Sequence, residues 1–246
     1  MQLKIYKDYN TLSFHIAAEI IELVKNKPTA VLCLASGDTP RLAYSLMAQK
    51  AMDEKIDFSH CTFIGLDEWV GIPPQNEGSC HFFLQTNVFK PLSLSSSQIH
   101  LFNAMSGDLV QECRTMDKII SDKGGIDLMV VGVGMNGHIG FNEPGSSFDN
   151  YSHVIDLDDT TQSVGQKYFT QPVIIKQGIT LGLNHFLHSR KAIMIANGIK
   201  KAGVIKKALE EEINIRMPAS IIRTHSQGVV MIDEEAASLL KKEDIS

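Results

Sequence analysis

The stretch GGIDLMVVGVGMNGHIGFNEPGSS, residues 124–147, decides how the rest of the chain is interpreted. It opens with an apolar run at residues 126–131, typical of a buried strand, which breaks at Gly132 and Gly134. Three side chains able to move protons or orient water follow within eight residues: Asn136, His138 and Glu143. Because ligands of open α/β sheets bind outside the carboxyl ends of strands, this stretch predicts a ligand site.

Small residues accompany the polar ones in this loop. Gly137 and Gly140 let the backbone approach a ligand closely, and Pro144 fixes the exit of the loop. Taken singly, His138 or Glu143 is better explained as a polar residue that satisfies the loop's own backbone. It is the density of polar groups at one strand end that favours a functional site.

Composition and charge exclude several classes of protein. The chain has 246 residues, enough for one large α/β domain, and no linker rich in proline or glycine divides it. The formal net charge is −5 with both signs mixed along the chain, which argues against a nucleic-acid partner. Residues 1–10 lack the apolar centre of a signal peptide, and no run is long enough to span a bilayer. We therefore expect a cytoplasmic protein without a membrane partner, with one domain over residues 1–246.

The cysteines give no sign of a metal site. The chain has 4 of them, far apart and without a CxxC pair, at positions 33, 61, 80 and 113. Neither a zinc site nor a disulfide framework is expected.

Strand-like and helical patterns alternate along the chain, which predicts an α/β fold. Strands are expected at residues 3–6, 29–34, 61–66, 126–131, 154–157, 179–183, 192–196 and 228–232. Helices are expected at residues 10–25 with Asn10 as the cap, from 41 to about 50, within 76–91, at 109–121, at 158–169, after Lys201 to about 211, and at 234–242.

Other strand ends carry groups suited to an anion. The loop ASGDTP at residues 35–40 leads into a helix, whose first N–H groups and positive dipole end suit phosphate. An ordinary strand–helix turn is an equally good interpretation of this loop. Lys201 follows a strand-end glycine, where it is either an anion ligand or a solvated surface lysine. Asp67 and Glu68 end another strand, and we expect only one of these adjacent carboxylates to face a pocket while the other caps or orients.

Seven motifs in order resemble one known family. They are ASGDTP at 35–40, LDEWVGIP at 66–73, GSCHFFL at 78–84, the stretch at 124–147, GITLGL at 178–183, NGIKKA at 197–202 and PAS at 218–220. This chain resembles the glucosamine-6-phosphate deaminase/isomerase family, which also contains galactosamine-6-phosphate isomerases, over nearly its whole length. The resemblance implies a Rossmann-like, mostly parallel sheet with helices on both faces. It also implies an enzyme that opens an amino-sugar 6-phosphate ring, isomerises C1–C2 and releases ammonia.

The resemblance also implies roles for individual residues. His138 matches the ring-opening histidine, Glu143 the carboxylate that works with it, and Asp67 the base that moves the C2 proton to C1. Glu68 and Gly137 support them. The implied phosphate ligands are Ser36, Gly37, Asp38, Thr39, Lys167 and Lys201. No metal or organic cofactor is implied, and we expect a monomer or small homo-oligomer.

The chain departs from the family pattern at several positions. Asn136 replaces an aspartate of the family's catalytic group, and Lys167 replaces an arginine, which exchanges a bidentate clamp for a point charge. Asp38 places an acid in the phosphate loop, so either its side chain turns away, for example to bond backbone, or phosphate affinity suffers. Residues 153–156 lack the Arg-x-Lys-Thr pattern of allosteric members, which predicts a non-allosteric enzyme.

Several functional readings stay open at this level. LDEW with Trp69, and GSCHFFL, resemble the galactosamine-6-phosphate branch more than the common DEY form of glucosamine-6-phosphate enzymes, which implies a slight preference for galactosamine 6-phosphate, with glucosamine 6-phosphate as the alternative. A 6-phosphogluconolactonase shares the fold but lacks the FNEP segment at 141–144. A sugar-phosphate sensor would need a helix-turn-helix, and residues 1–30 offer one helix only.

Overall fold

A seven-stranded parallel sheet forms the centre of the computed structural model, which describes residues 1–241. The strands are β1 (Gln2–Tyr6), β2 (Val31–Leu34), β3 (Thr62–Gly65), β4 (Asp67–Trp69), β5 (Ile99–His100), β6 (Leu128–Gly132), β7 (His153–Asp156), β8 (Gln177–Thr180), β9 (Lys191–Ala196) and β10 (Gly228–Asp233). The sheet has the order β1-β10-β9-β6-β2-β3-β5 with every pair parallel. A smaller antiparallel sheet has the order β4-β8-β7.

Helices cover both faces of the large sheet. They are α1 (Tyr9–Asn26), α2 (Asp38–Asp53), α3 (Cys80–Leu84), α4 (Leu109–Asp122), α5 (Asp159–Gly165), α6 (Leu183–His188), α7 (Ala202–Glu210) and α8 (Glu234–Ala237). A π-helical turn at Gln85–Phe89 continues α3, and 3-10 turns lie at Gln166–Tyr168, Ile199–Lys201 and Pro218–Thr224. Within residues 1–241, no helix combines the length and the apolar character that crossing a membrane requires.

The alternation of side chains along β2 separates two cores. Leu32 and Leu34 pack with α1 and α2 on one face, whereas Val31 and Cys33 pack with α4 and α7 on the other. Both faces of these strands are buried, which explains why they appear in the sequence as continuous apolar runs. The predicted Rossmann-like sheet with helices on both faces is confirmed.

The chain reverses its direction of travel across the sheet between β2 and β6. From β2 it proceeds to β3 and β5 on one side, and from β6 it proceeds to β9 and β10 on the other. The loops that follow β2 and β6 therefore separate and leave a crevice at the carboxyl ends of the strands, which is where ligands of open α/β sheets bind.

Several element boundaries differ from those predicted. Asp8, rather than Asn10, caps α1, with its side chain accepting a hydrogen bond from the Thr11 N–H at 2.8 Å. Helix α2 begins at Asp38 instead of Arg41, because a proline is tolerated in the first turn of a helix. Helix α8 ends at Ala237, and residue 242 of its predicted span lies outside the described residues.

Several short elements were not predicted. They include β5, α6 and the 3-10 segment Pro218–Thr224, and β4 was expected only as the end of the strand at 61–66. The apolar run at residues 179–183 was predicted as a single strand, yet β8 ends at Thr180 and α6 begins at Leu183. Elements of two to seven residues are too short for a hydrophobic period to identify them.

Candidate active site

A cleft of about 350 Å³ lies at the switch point between β2 and β6. Its walls come from the loops after β2 and β6, from β4, from α5 with the turn that follows it, and from the segment after β9. The predicted site residues that line it are Ser36, Gly37, Asp38, Thr39, Asp67, Asn136, His138, Lys167 and Lys201. Glu68, Gly137 and Glu143 do not line the cleft but lie directly beside residues that do.

His138 and Glu143 form an acid–base pair at the cleft wall. Nδ1 of His138 lies 3.3 Å from Oε2 of Glu143. Burial works to raise the pKa of Glu143, but its hydrogen bond with His138 and the charge of that ring outweigh burial and lower the pKa. The carboxylate is therefore held ionised beside the imidazole, an arrangement that fixes the ring and its tautomer.

Asn136 joins the same group through its amide. Its Nδ2 donates to Oε2 of Glu143 at 2.7 Å, and its Oδ1 accepts from the backbone N–H of His138 at 3.2 Å. A neutral amide thus connects the carboxylate to the loop that carries the histidine. The amide can make both contacts at once because it has a donor and an acceptor, whereas an ionised aspartate has acceptors only.

Thr161 of α5 is a fourth member of this cluster that the sequence did not indicate. Its Oγ1 lies 3.0 Å from Nδ1 of His138 and is buried. The Nδ1 atom therefore has two oxygen neighbours, one from Glu143 and one from Thr161. The carboxylate can only accept and so favours a proton on Nδ1, while the hydroxyl is compatible with either tautomer; this leaves Nε2 available to accept a proton.

Gly134 and Gly137 leave the space that the His138 ring and its loop occupy. A side chain at Gly134 would overlap the His138 ring, since an added Cβ would meet Nε2, Cδ2 and Cε1 of that ring. Gly137 has a φ of +88°, a conformation that L residues rarely adopt, and an added Cβ would also meet the Met217 sulfur. The polypeptide between β6 and Glu143 is thus shaped around the imidazole.

Asp67 approaches the cleft from the second sheet. It is the first residue of β4 and pairs with Thr180 of β8. Burial raises its pKa to about 7, while a hydrogen bond with the Cys80 thiol lowers it and the charge of Glu68 raises it further. A carboxyl group with this pKa can both take and return a proton near neutral pH.

Glu68 points away from the cleft and orients α3. Its carboxylate accepts three backbone N–H groups, those of Trp69 at 2.9 Å, Cys80 at 3.0 Å and His81 at 2.8 Å. Burial raises the pKa of Glu68 despite these bonds. The expected division between Asp67 and Glu68, with one in the pocket and the other capping, is confirmed.

Trp69, next along β4, contributes to the floor of the cleft. It is 5% exposed, and its ring lies 4.5 Å from that of Phe141 between centroids. An added Cβ at Gly165 would meet the Trp69 ring. Packing accounts for most of its surface, and its remaining edge lines the cleft.

The loop after β2 and the start of α2 form the other end of the cleft. Gly37 precedes α2 with a φ of 120°, and within the described chain no side chain caps this helix start. Ser36 donates a hydrogen bond to the Cys80 sulfur at 3.0 Å, and Thr39 donates to Oδ1 of Asn197 at 2.7 Å. The loop is therefore tied to both walls, and its backbone N–H groups remain for an anion.

Lys201 lies beside this loop. Its Nζ donates to the carbonyl oxygen of Val133, the residue that follows β6. Burial lowers the pKa of Lys201 to about 8, and the positive charge of Lys167 lowers it as well. A negatively charged ligand beside Lys201 would offset both effects and raise the pKa of its ammonium group again.

Asp38 and Lys167 form an ion pair across the mouth of the cleft, with 2.7 Å between Oδ2 and Nζ. The Asp38 side chain therefore turns to a cation of the opposite wall and not to backbone. Burial works to lower the pKa of Lys167, but the hydrogen bond with Asp38 and the neighbouring Tyr168 raise it. Lys167 is accordingly charged when it meets Asp38.

The parallel sheet and this cleft define an α/β protein with an acid–base cluster at one end of its ligand site and cationic groups at the other. A family model described as glucosamine-6-phosphate isomerases/6-phosphogluconolactonase matches residues 9–231. The chain belongs to this family.

Curated relatives agree with that assignment. A glucosamine-6-phosphate deaminase of Thermoanaerobacter sp. (strain X514) is 34% identical over 246 residues, which cover 100% of this chain and 97% of the relative. Another of Bacillus pumilus (strain SAFR-032) is 37% identical over 235 residues, covering 95% and 98% of the two chains.

Solved structures extend the comparison. A monomeric glucosamine-6-phosphate deaminase superimposes with a TM-score of 0.94 at 34% identity, covering 97% of this chain and 100% of the other. The 6-phosphogluconolactonase from Trypanosoma brucei superimposes with a TM-score of 0.80 and covers 98% of each chain. Its 17% identity shows the common fold alone.

Proposed function

We propose that this chain is a glucosamine-6-phosphate deaminase, which converts its substrate and water into fructose 6-phosphate and ammonia. The chain is an aldose–ketose isomerase/deaminase of the amino-sugar phosphate type, as its relatives indicate. The preference for galactosamine 6-phosphate that the sequence motifs suggested has no support among these relatives. Their names favour the alternative, glucosamine 6-phosphate.

The observation that carries the proposal is the His138–Glu143 contact of 3.3 Å in a cleft that also holds Asp67. Opening a pyranose ring requires a proton to leave the O1 hydroxyl and another to reach the ring oxygen. An imidazole with Nδ1 held by Glu143 and Thr161 can perform both transfers through Nε2. Glu143 stabilises the imidazolium that exists between the two transfers.

Asp67 is our candidate for the isomerisation step. Removal of the C2 proton of the open chain, with a proton given to O1 by the His138 imidazolium, yields an enolamine, and return of the C2 proton to C1 yields the protonated ketimine. A single carboxyl group with a pKa of about 7 can serve as base for the first transfer and as acid for the second. Water then adds to the ketimine carbon, and ammonia leaves.

The 6-phosphate would lie at the start of α2. There the Ser36–Thr39 loop offers backbone N–H groups, and Lys201 and Lys167 offer charge. Anions are stabilised at helix N-termini by these groups and by the helix dipole. Binding at this end would leave the sugar carbons C1 and C2 for the His138 and Asp67 end.

The proposal also covers the quaternary structure of the protein. A relative in the solved structures is described as monomeric, and we propose a monomer or small homo-oligomer for this chain. All the residues to which the proposed mechanism assigns a role come from one chain. Light scattering coupled to gel filtration would measure the state directly.

Ammonia and ketose 6-phosphate release from purified protein tests the function. Glucosamine 6-phosphate and galactosamine 6-phosphate are compared at equal concentrations, with Asp67→Asn as the inactive control. We expect turnover of glucosamine 6-phosphate at more than roughly tenfold higher kcat/KM than its C4 epimer, a difference of about 1.4 kcal/mol. Faster turnover of the galactosamine ester would reverse the substrate assignment, and no ammonia from either would refute a deaminase.

A further inference from the structure

The ion pair between Asp38 and Lys167 joins the two walls of the cleft at its mouth. Asp38 is the first residue of α2, and Lys167 lies in the 3-10 turn after α5, 129 residues further along the chain. Both residues line the cleft. The pair therefore occupies part of the space in which an anionic group of a ligand would meet Lys167.

A second cation touches the same carboxylate. The guanidinium of Arg41 lies 3.7 Å from Oδ1 of Asp38, one helical turn along α2, and over the Phe83 ring at 4.9 Å. Asp38 thus stands between two cations and uses both of its oxygens. A phosphate group that reached the same two side chains would have to compete with this carboxylate for them.

Asp38 and Lys167 are both half-exposed, with 59% and 51% of their side-chain surfaces accessible. Exposed ion pairs are weak, because water and salt screen them. A dianionic ligand can therefore displace the Asp38 carboxylate from Lys167 at small cost.

We propose that Asp38 is a resident counter-ion of the phosphate subsite, which occupies Lys167 in the free protein and must be displaced when a phosphate ester binds. The proposal rests on the proposed function for the identity of the ester. It makes Asp38 an affinity-setting residue that weakens the binding of substrate and product alike.

The Asp38 carboxylate also affects which anions bind at Lys167. A carboxylate ligand brings one negative charge and meets cations already neutralised by Asp38. A phosphate dianion brings two charges and can engage Lys167 together with Lys201. The subsite would accordingly discriminate against monoanions such as sugar acids.

Inorganic phosphate is the probe for the test. Its dissociation constant is measured by titration calorimetry at constant ionic strength for the wild type, Asp38→Asn and the matched control Glu77→Gln. Glu77 lines the same cleft, and its replacement removes a carboxylate without touching the Asp38–Lys167 pair. We expect the constant to fall roughly three- to tenfold in Asp38→Asn, and by much less in Glu77→Gln.

A double variant separates competition from a general charge effect. With Lys167→Met in the background, Asp38→Asn should change phosphate affinity much less, because the competition acts through Lys167. Unchanged or weaker phosphate binding in Asp38→Asn would overturn the proposal. So would an equal gain in Glu77→Gln, or the full gain without Lys167.

Phosphate binding does not require turnover, so this test stands even if the deaminase assignment fails. If glucosamine 6-phosphate is the substrate, its KM should fall in parallel with the phosphate constant in Asp38→Asn. A lower phosphate constant without any turnover of amino-sugar phosphates would support the counter-ion and refute the proposed function.

Discussion

Nδ1 of His138 lies between two oxygens, 3.3 Å from Oε2 of Glu143 and 3.0 Å from Oγ1 of Thr161. The two oxygens come from different elements, one from the loop after β6 and one from α5. A single oxygen would fix the tautomer of the imidazole but leave the ring free to tilt. With two, the plane of the ring is fixed as well.

Thr161→Val should therefore lower kcat/KM for glucosamine 6-phosphate roughly tenfold, because a hydrogen bond to a charged group is worth about 1.5 kcal/mol. Thr161→Ser keeps the hydroxyl and should restore most of the rate. Steady-state kinetics on the three proteins provide the comparison. Equal rates in the valine and serine variants would show that the hydroxyl has no part in positioning His138.

The pH dependence of kcat/KM should report on Asp67. A base must be deprotonated, so the rate should fall as the pH drops below about 7, by roughly tenfold per unit. The substrate phosphate titrates near pH 6, and a variant is needed to assign the break. Cys80→Ala removes the hydrogen bond that lowers the Asp67 pKa, so the break should move to higher pH.

Cys80→Ser is the control for that shift, because it retains a donor beside Asp67 and should keep the break near its wild-type position. A break that stays in place in Cys80→Ala would assign it to the substrate or to another group. Profiles between pH 5 and pH 9 at constant ionic strength cover the range needed.

Gly134→Ala should abolish most of the activity without unfolding the protein. Its Cβ would occupy the position of the His138 ring, and a displacement of about 1 Å in a catalytic group costs roughly a hundredfold in rate. Gly132→Ala is the matched control, since an added Cβ there meets nothing within 4 Å. Similar kcat values and similar thermal unfolding in the two variants would contradict the steric account.

The KM for glucosamine 6-phosphate should rise above about pH 8. Lys201 has its pKa lowered to about 8 by burial and by Lys167, so it loses its charge as the pH rises through that value. Lys167→Gln removes the positive charge that helps to lower the Lys201 pKa, so the rise in KM should begin at a higher pH. The loss of Lys167 itself should make KM larger at every pH. A KM that is constant up to pH 9.5 would exclude Lys201 from phosphate binding.

Substrate saturation should be hyperbolic, and N-acetylglucosamine 6-phosphate should leave it unchanged. Allosteric members of the resembled family carry basic residues where this chain has His153–Asp156, which form β7 and pair with β8. Initial rates over a wide substrate range test this directly. A sigmoidal curve that the effector makes hyperbolic would contradict the prediction.

The sequence predicted the parts of the site that lie close together along the chain. Asn136, His138 and Glu143 fall on one loop, and their density after an apolar run was a sufficient signal. The division between Asp67 and Glu68 also followed from local geometry, because adjacent residues of a strand point to opposite faces.

Contacts between distant segments could not be predicted in this way. Thr161 lies on a short helix in which a threonine has no distinguishing pattern, and its position beside His138 depends on how α5 packs. The pairing of Asp38 with Lys167 joins residues 129 positions apart. The slight preference for galactosamine 6-phosphate from LDEW and GSCHFFL has no support among the relatives, whose names favour glucosamine 6-phosphate.

Because the strand order reverses between β2 and β6, the two loops that form the cleft are brought together only by the pairing of these two strands. Leu32 pairs with Leu128, so two strands at the centre of the sheet meet only after a long intervening segment has been closed into a loop. Before that pairing, the loop that begins α2 and the loop that carries His138 belong to separate parts of a partly folded chain. The cleft is therefore complete only when β2 and β6 have paired, and a ligand that binds in it favours the folded molecule. Such a ligand acts as a folding stabiliser, and its concentration should set how long the protein survives heat and proteases.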